Sequence, residues 1–564
     1  MNNDTDDYYD LGSFHRPVTT TSNVTQTWFD RGLIWSFAFN HEESAVCFQK
    51  AITADPGCAM AYWGLAYALG PNYNKPWESF DGVELETTVE RTHRAVVQAQ
   101  KLIDKASPVE RALINALGSR YPKEHPASDW PVWNLEYADA MNSVYSQFPD
   151  DLDVAALCVD ALMNLTPWRL WDLNTGLPAP GARTIEAKKI LDRALSQEAG
   201  DKHAGLLHLY IHLMEMSATP EKALPLADNL RGLVPDAGHL QHMPSHLDIL
   251  CGDYRRAMIS NADAIRADEK FAQRSGTMNF YTLYRSHDYH FRIYAAMFAG
   301  ISQAALDTAA ALERSIPEEL LRVKSPPMAD WLESFLAMRV HVFIRFGRWR
   351  EIIKLELPTD QDLYCTTTAM TYYAKGVALA ATGDIPGAEE QQRLFKAAIR
   401  KVPESRTLFN NKCTDILAVA EAMLAGELEY RKQNYEAAFQ HLRESIFLDD
   451  TLPYDEPWGW MQPTRHAYGA LLLEQGRVEE AAKVYAADLG FDTTAPRARQ
   501  HPDNVWGLHG YHECLVKLGR TAEALVIEQR LRLAMAYADV PIKSSCYCRL
   551  TETTPSSCRR QSSL

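Results

Sequence analysis

Seven of the chain's 18 histidines fall between His208 and His290, in company with Glu215. They form three clusters: His208, His212 and Glu215; then His239, His242 and His246; then His287 and His290. An α-helix turns about 100° per residue, so the members of each of the first two clusters lie within about 60° of one another on one face. Two histidines four residues apart on such a face can share a metal ion. Imidazole nitrogen suits zinc, copper, iron and nickel. The spacing therefore predicts a metal centre whose ligands are drawn from His208, His212, Glu215, His239, His242, His246, His287 and His290, with Glu215 as ligand or general base. The competing readings are a hydrogen-bonded polar groove and a pH-sensitive histidine cluster. His203 falls on another helix face and is left out.

This donor set exceeds what one ion needs, since three protein ligands and an open position already serve a catalytic zinc. Hydrolytic two-metal and di-iron sites usually carry several carboxylates. Here Glu215 alone qualifies, because Asp248 and Asp288 fall off the shared face. A nitrogen-rich, binuclear centre points to copper first, then non-haem iron, then zinc. A redox-active ion would bring O₂ chemistry on an organic substrate. Tyr210, Tyr281, Tyr284 and Tyr294 are aromatic candidates for contacting that substrate. Pro244, within the run His242–His246, removes a helical hydrogen bond and re-aims the histidines on either side of it.

The elements that must position these residues are helix pairs. Trp28, Gly32, Phe48, Ala51 and Pro56 follow the spacing of a 34-residue tetratricopeptide (TPR) unit starting at Thr25. Small residues let two antiparallel helices approach, large ones fill the gaps, and proline ends the second helix. The frame returns in units from Ala204, Gly238 and Ser286, and again around Gly376, Gly426, Gly469 and Gly519. The expected fold is all-α: a right-handed superhelical TPR-like solenoid of antiparallel helix pairs. Three stretches break the period and read as loops or insertions: 105–135, 166–184 and 272–285. The last could form a lid carrying Tyr281 and Tyr284.

Resemblance to the repeat family implies that the first helix of each unit lines a concave groove, and the three clusters occupy its groove-facing positions. The run from Leu207 to His246 also resembles a group of bacterial and fungal TPR proteins carrying HxxxHxxE and HxxHMPSH motifs. All eight predicted ligands match that pattern, while Leu207 and the pair Asp288–Tyr289 depart from it. The resemblance implies a TPR fold and brings no settled reaction with it.

The division expected from the sequence is an N-terminal extension (1–24), N-terminal repeats (25–200), histidine-rich repeats (201–310), C-terminal repeats (311–541) and a disordered Ser/Cys-rich tail (542–564). A net charge of -16 argues against sequence-independent nucleic-acid binding and against docking on an anionic membrane. The N-terminus reads as lacking a secretory signal, and no span is apolar enough to cross a membrane, so a cytoplasmic protein with reduced thiols is expected. His466 and His509 are weaker candidates for a second ligand surface, and Cys546, Cys548 and Cys558 for a soft-metal or oxidisable group. The leading function is a metal-dependent oxidase or oxygenase acting on a small molecule or peptide in the groove. The alternatives are a protein-interaction scaffold and a metal-binding or sensor protein without catalysis.

Overall fold

The computed structural model describes residues 8–126 and 130–549. Helices follow one another in antiparallel pairs along the described residues. Asn23–Phe37 packs on His41–Ala54, Thr282–Phe298 on Ser302–Ser315, Cys365–Ala381 on Ile385–Ile399, and Cys413–Arg431 on Tyr435–Asp450. Among the described residues the one sheet is a two-residue ladder, Thr407–Leu408 with Asn411–Lys412. The protein is an all-α, TPR-like solenoid.

Its packing follows the small-residue logic of the sequence. The Phe48 ring is wedged between two helices at Gly32 and Gly64, where an added Cβ would come within 2.8 and 2.2 Å of it. Tyr485 repeats the device between Gly469 and Gly510, with Cβ approaches of 2.5 and 2.3 Å. Gly252 and Gly300 end helices at φ 84° and 72°, a backbone region that side chains disfavour.

Three stretches and the concave face differ from the sequence reading. Most of 105–135 is helical: Pro108–Arg120 starts on a Ser107/Glu110 capping box, and Trp130–Gln147 follows. The 272–285 stretch narrows to a short turn, because Tyr254–Ser275 runs on to Ser275 and the next helix opens at Thr282. The tail expected from 542 packs on the body as far as Arg549: Ile542 and Cys548 are buried, Tyr547 seats against Gly347, and Cys546 is disulfide-bonded to Cys548. Residues 550–564, including Cys558, lie outside the described residues. The concave face is also not an open groove at the histidine-rich repeats, because distant segments fold onto it. The 23–37 helix touches Ala204–Glu215, and Trp168 faces Tyr454 across the interior. No helix among the described residues is long and apolar enough to cross a membrane.

Candidate metal centre

Three consecutive units deliver the site. Ala204–Glu215 carries His208, His212 and Glu215. The next first helix is broken in two, Gly238–His242 and Pro244–Leu250, and Pro244 opens the second piece. Proline is tolerated at a first helical position but cannot continue the preceding turn. The break sets the angle of His239 and His242 relative to His246. Thr282–Phe298 supplies His287. All eight predicted ligands are at most 6% exposed.

Donor atoms of these side chains converge in three groups: His208, His212 and His239; His242, His246 and His287; and His212, Glu215 and His246. Within each group the donor atoms lie within 4.8 Å of one another. The third group joins the other two, so the donors form one continuous cluster. A metal ion fits such a set of buried donors.

The hydrogen bonds sharpen the fit. His208 Nδ1 lies 2.6 Å from the Phe37 carbonyl oxygen, and His212 Nδ1 lies 3.0 Å from Glu215 Oε1. His242 Nδ1 lies 2.7 Å from Asn261 Oδ1, and His246 Nδ1 lies 2.7 Å from Glu215 Oε2. Asn261 is oriented by its own amide, which donates to Ser245 Oγ and the Ala257 carbonyl, so its oxygen faces His242. The Phe37 carbonyl and the Asn261 amide oxygen can only accept, so His208 and His242 donate from Nδ1 and keep a lone pair on Nε2; His212 and His246 do the same when Glu215 is ionised. Metal-binding histidines are typically held in this way. The Nε2 atoms of His208 and His212, and both ring nitrogens of His239, have no partner. His242 Nε2 and His246 Nε2 lie 2.7 Å apart. Two lone pairs at that separation repel unless a cation stands beside them, one ring takes a second proton, or His246 carries its proton on Nε2 while a protonated Glu215 or Glu456 donates to its Nδ1.

Burial, and then the neighbouring imidazoles, push His208, His212, His239, His242 and His287 well below the usual histidine range. They are therefore neutral, which is the form that binds metal. Glu215 is pushed up to about 8, first by burial and then by the charge of Glu456. Glu456 Oε2 lies 2.5 Å from His246 Nδ1, so two buried carboxylates converge on one imidazole. A bound cation would offset their mutual repulsion.

The other predicted residues are distributed unequally. His290 turns away: its Nε2 lies 2.8 Å from Met461 Sδ and its ring packs on Phe335, outside all three groups. Tyr284 reaches the site, with its ring 4.9 Å from His239. Tyr281 sits behind it, donating to Asp268 Oδ1 at 2.9 Å and accepting from the His239 backbone N–H. Tyr210 faces Lys188 on the neighbouring Thr184–Leu195 helix, and Tyr294 stacks on Phe298; neither lines the main cavity. His466 is locked between Arg345 and Asp488, while the docked tail covers its surroundings. Asp248 pairs with Arg231, off the site as its position implies. Asp288 stands outside all three donor groups, as its position implies, with its buried Oδ1 3.4 Å from His242 Nδ1. Glu456 corrects the reading of the sequence, since a second carboxylate reaches His246 beside Glu215. No local signal could have found Glu456, because it lies in a loop outside the repeat frame.

A cavity of about 470 Å³ opens onto His212, His239, His246 and His287, between walls that include Trp168, Tyr284 and Phe409. Three of the six non-glycine residues with positive φ among the described residues are aromatics touching the histidines. Phe39 (φ 56°) lies 4.4 Å from the His208 ring, Trp168 (φ 58°) 5.6 Å from His212, and Phe409 (φ 48°) 4.7 Å from His287. Such backbone costs about 1–3 kcal/mol per residue and gathers where a site needs a side chain held in place.

No family model matches this chain, and no curated protein matches it. Similar solved structures include the Cut9–Hcn1 hetero-tetramer of APC/C (11% identity, TM-score 0.31, 92% of this chain and 78% of that one). Others are Naa15/Naa10 bound to HypK-THB (13%, 0.22, 90% and 70%) and yeast Tom70 (11%, 0.26, 90% and 90%). At those TM-scores the likeness says nothing about function.

Proposed function

We propose that the protein is a metal-dependent oxidoreductase, an oxidase or oxygenase, whose binuclear centre is built from two three-histidine groups on a TPR-like scaffold. One ion would be held by His208, His212 and His239, and the other by His242, His246 and His287. Glu215 ties the two together through His212 and His246. The observation that carries this reading is the set of buried Nε2 lone pairs aimed inward by Nδ1 hydrogen bonds. Six imidazoles against two carboxylates favour copper over iron, and copper also stands highest in intrinsic affinity for such donors. Copper would supply electron transfer between an organic substrate and dioxygen. The chain's own part is to hold neutral imidazoles and to seat a small molecule in the cavity above them, against His212, His239, His246 and His287.

The test is metal analysis of full-length protein after reconstitution, followed by O₂ uptake with candidate substrates. The reading expects two copper ions per chain, retained through gel filtration, with the ion of the His242 group lost in the His242→Ala/His246→Ala double variant. No stoichiometric metal in the parent protein would end it. Metal retention without O₂ consumption would leave a metal-storing or sensing protein.

A further inference from the structure

The cavity above the histidines has a one-sided chemistry. Its lining includes the carboxylates of Glu78, Asp81, Asp330 and Asp455, and contains no lysine or arginine. Asp455 lies deep, held by Asn411, whereas Glu78 is exposed and Asp330 partly so. Between mouth and floor the walls are aromatic. Trp168 and Phe409 are fixed in left-handed backbone, and Phe280 and Trp331 meet edge to face at 5.5 Å. His239, at 1% exposure with neither ring nitrogen partnered, faces the cavity from the floor. Ring faces attract cations, most strongly when the cation is partly desolvated. The structure already uses this nearby: the Lys75 ammonium sits 4.5 Å from the Phe80 ring and 4.3 Å from the Phe280 ring, with its charge met by Glu84. A phosphate or carboxylate entering the cavity would find no cationic side chain along the lining; the guanidinium of Arg406 lies outside it, 3.6 Å from Asp330 Oδ1, and leaves Glu78 as the unpaired carboxylate at the mouth among the described residues. An ammonium would find both rings and carboxylates.

We propose that the cavity takes a small organic cation: an amine on a flat, aromatic body, with its ring between the aromatic walls and its ammonium toward Glu78 and Asp330. This rests on the enzyme reading above for what happens at the histidine floor, and on the walls alone for binding. The test uses three probes that share one phenol ring: tyramine, the neutral tyrosol, and the anionic 3-(4-hydroxyphenyl)propionate. Each is titrated into full-length protein, metal-free and copper-loaded, with isothermal titration calorimetry as readout.

Tyramine should bind about tenfold more tightly than the acid in both forms, with tyrosol between them. Glu78→Gln, on an exposed turn where folding is not at stake, should narrow that ratio, and adding Asp330→Asn should narrow it further. Equal or tighter binding of the acid to metal-free protein overturns the proposal, as does failure of all three probes to bind. Acid binding that appears only with copper also overturns it, while leaving the metal centre standing. Amine preference in a protein that holds no copper sinks the enzyme reading and spares this one.

Discussion

Asn261 offers a direct way to separate scaffold from centre. It lies on the Tyr254–Ser275 helix and touches only one of the two three-histidine groups, through His242 Nδ1. Replacing it with alanine removes the oxygen that fixes which nitrogen of His242 carries the proton. Two effects follow, and they can be measured apart. In metal-free protein the buried Nδ1–H loses its 2.7 Å acceptor and keeps only Ser245 Oγ and Asp288 Oδ1 at 3.4 Å, which costs about 1 kcal/mol of stability. In metal-loaded protein His242 can turn or change tautomer, and loss of such a supporting hydrogen bond weakens metal affinity by about 10–100-fold. At about 1.4 kcal/mol per decade, that equals about 1.4–2.8 kcal/mol, affecting the His242 group only. The assay is copper titration against a chromogenic chelator, paired with urea denaturation of the metal-free protein. Copper binding should split into one unchanged and one weakened class. Asn261→Asp retains an acceptor and should restore the weakened class. If Asn261→Ala lowers stability while both classes bind as before, the tautomer argument is refuted and Asn261 is merely structural.

Other outcomes follow from the same geometry. Metal-free protein should lose stability as pH falls below about 6.5, because five buried histidines stay neutral in the fold while the unfolded chain protonates. Each can contribute up to about 1.4 kcal/mol per pH unit, read by denaturation at pH 7 and 5.5. Glu215 works the other way: its folded value is raised to about 8, so its contribution is present at low pH and fades as pH climbs from the ordinary carboxyl range toward 8. Bound copper should flatten the alkaline loss. Pro244→Ala lets Gly238–His242 and Pro244–Leu250 join, and should weaken copper binding while leaving the helical circular dichroism unchanged. Gly64→Ala forces a Cβ to within 2.2 Å of the Phe48 ring and should cost about 1–3 kcal/mol in denaturation, with copper binding retained in the folded fraction.

The helix pairs were legible because small residues recur where helices must touch, as at Gly32 beside Phe48 and Gly469 beside Tyr485. The histidine faces were legible for a related reason, since helical periodicity places His208, His212 and Glu215 together whatever surrounds them. Sequence periodicity describes one helix at a time, and there its reach ends. His290 shares a helix with His287, yet Met461 and Phe335 from elsewhere in the chain claim it. Glu456 enters the centre from a loop with no repeat of its own. Phe39, Trp168 and Phe409 reach the histidines through backbone conformations that no residue pattern announces. Closure of the concave face by these segments is a property of the superhelix as a whole. The tail shows the same limit, because a Ser/Cys-rich composition conceals the packing of Ile542 and Tyr547.

X-ray absorption at the copper edge of the reconstituted protein tests the central claim most directly. The account predicts one ion for each three-histidine group, a first shell of nitrogen and oxygen with imidazole outer-shell scattering, and a short metal–metal vector. A sulfur-dominated shell, which would place the ion on cysteine thiolates away from the histidines, would contradict it. So would isolated ions without imidazole scattering.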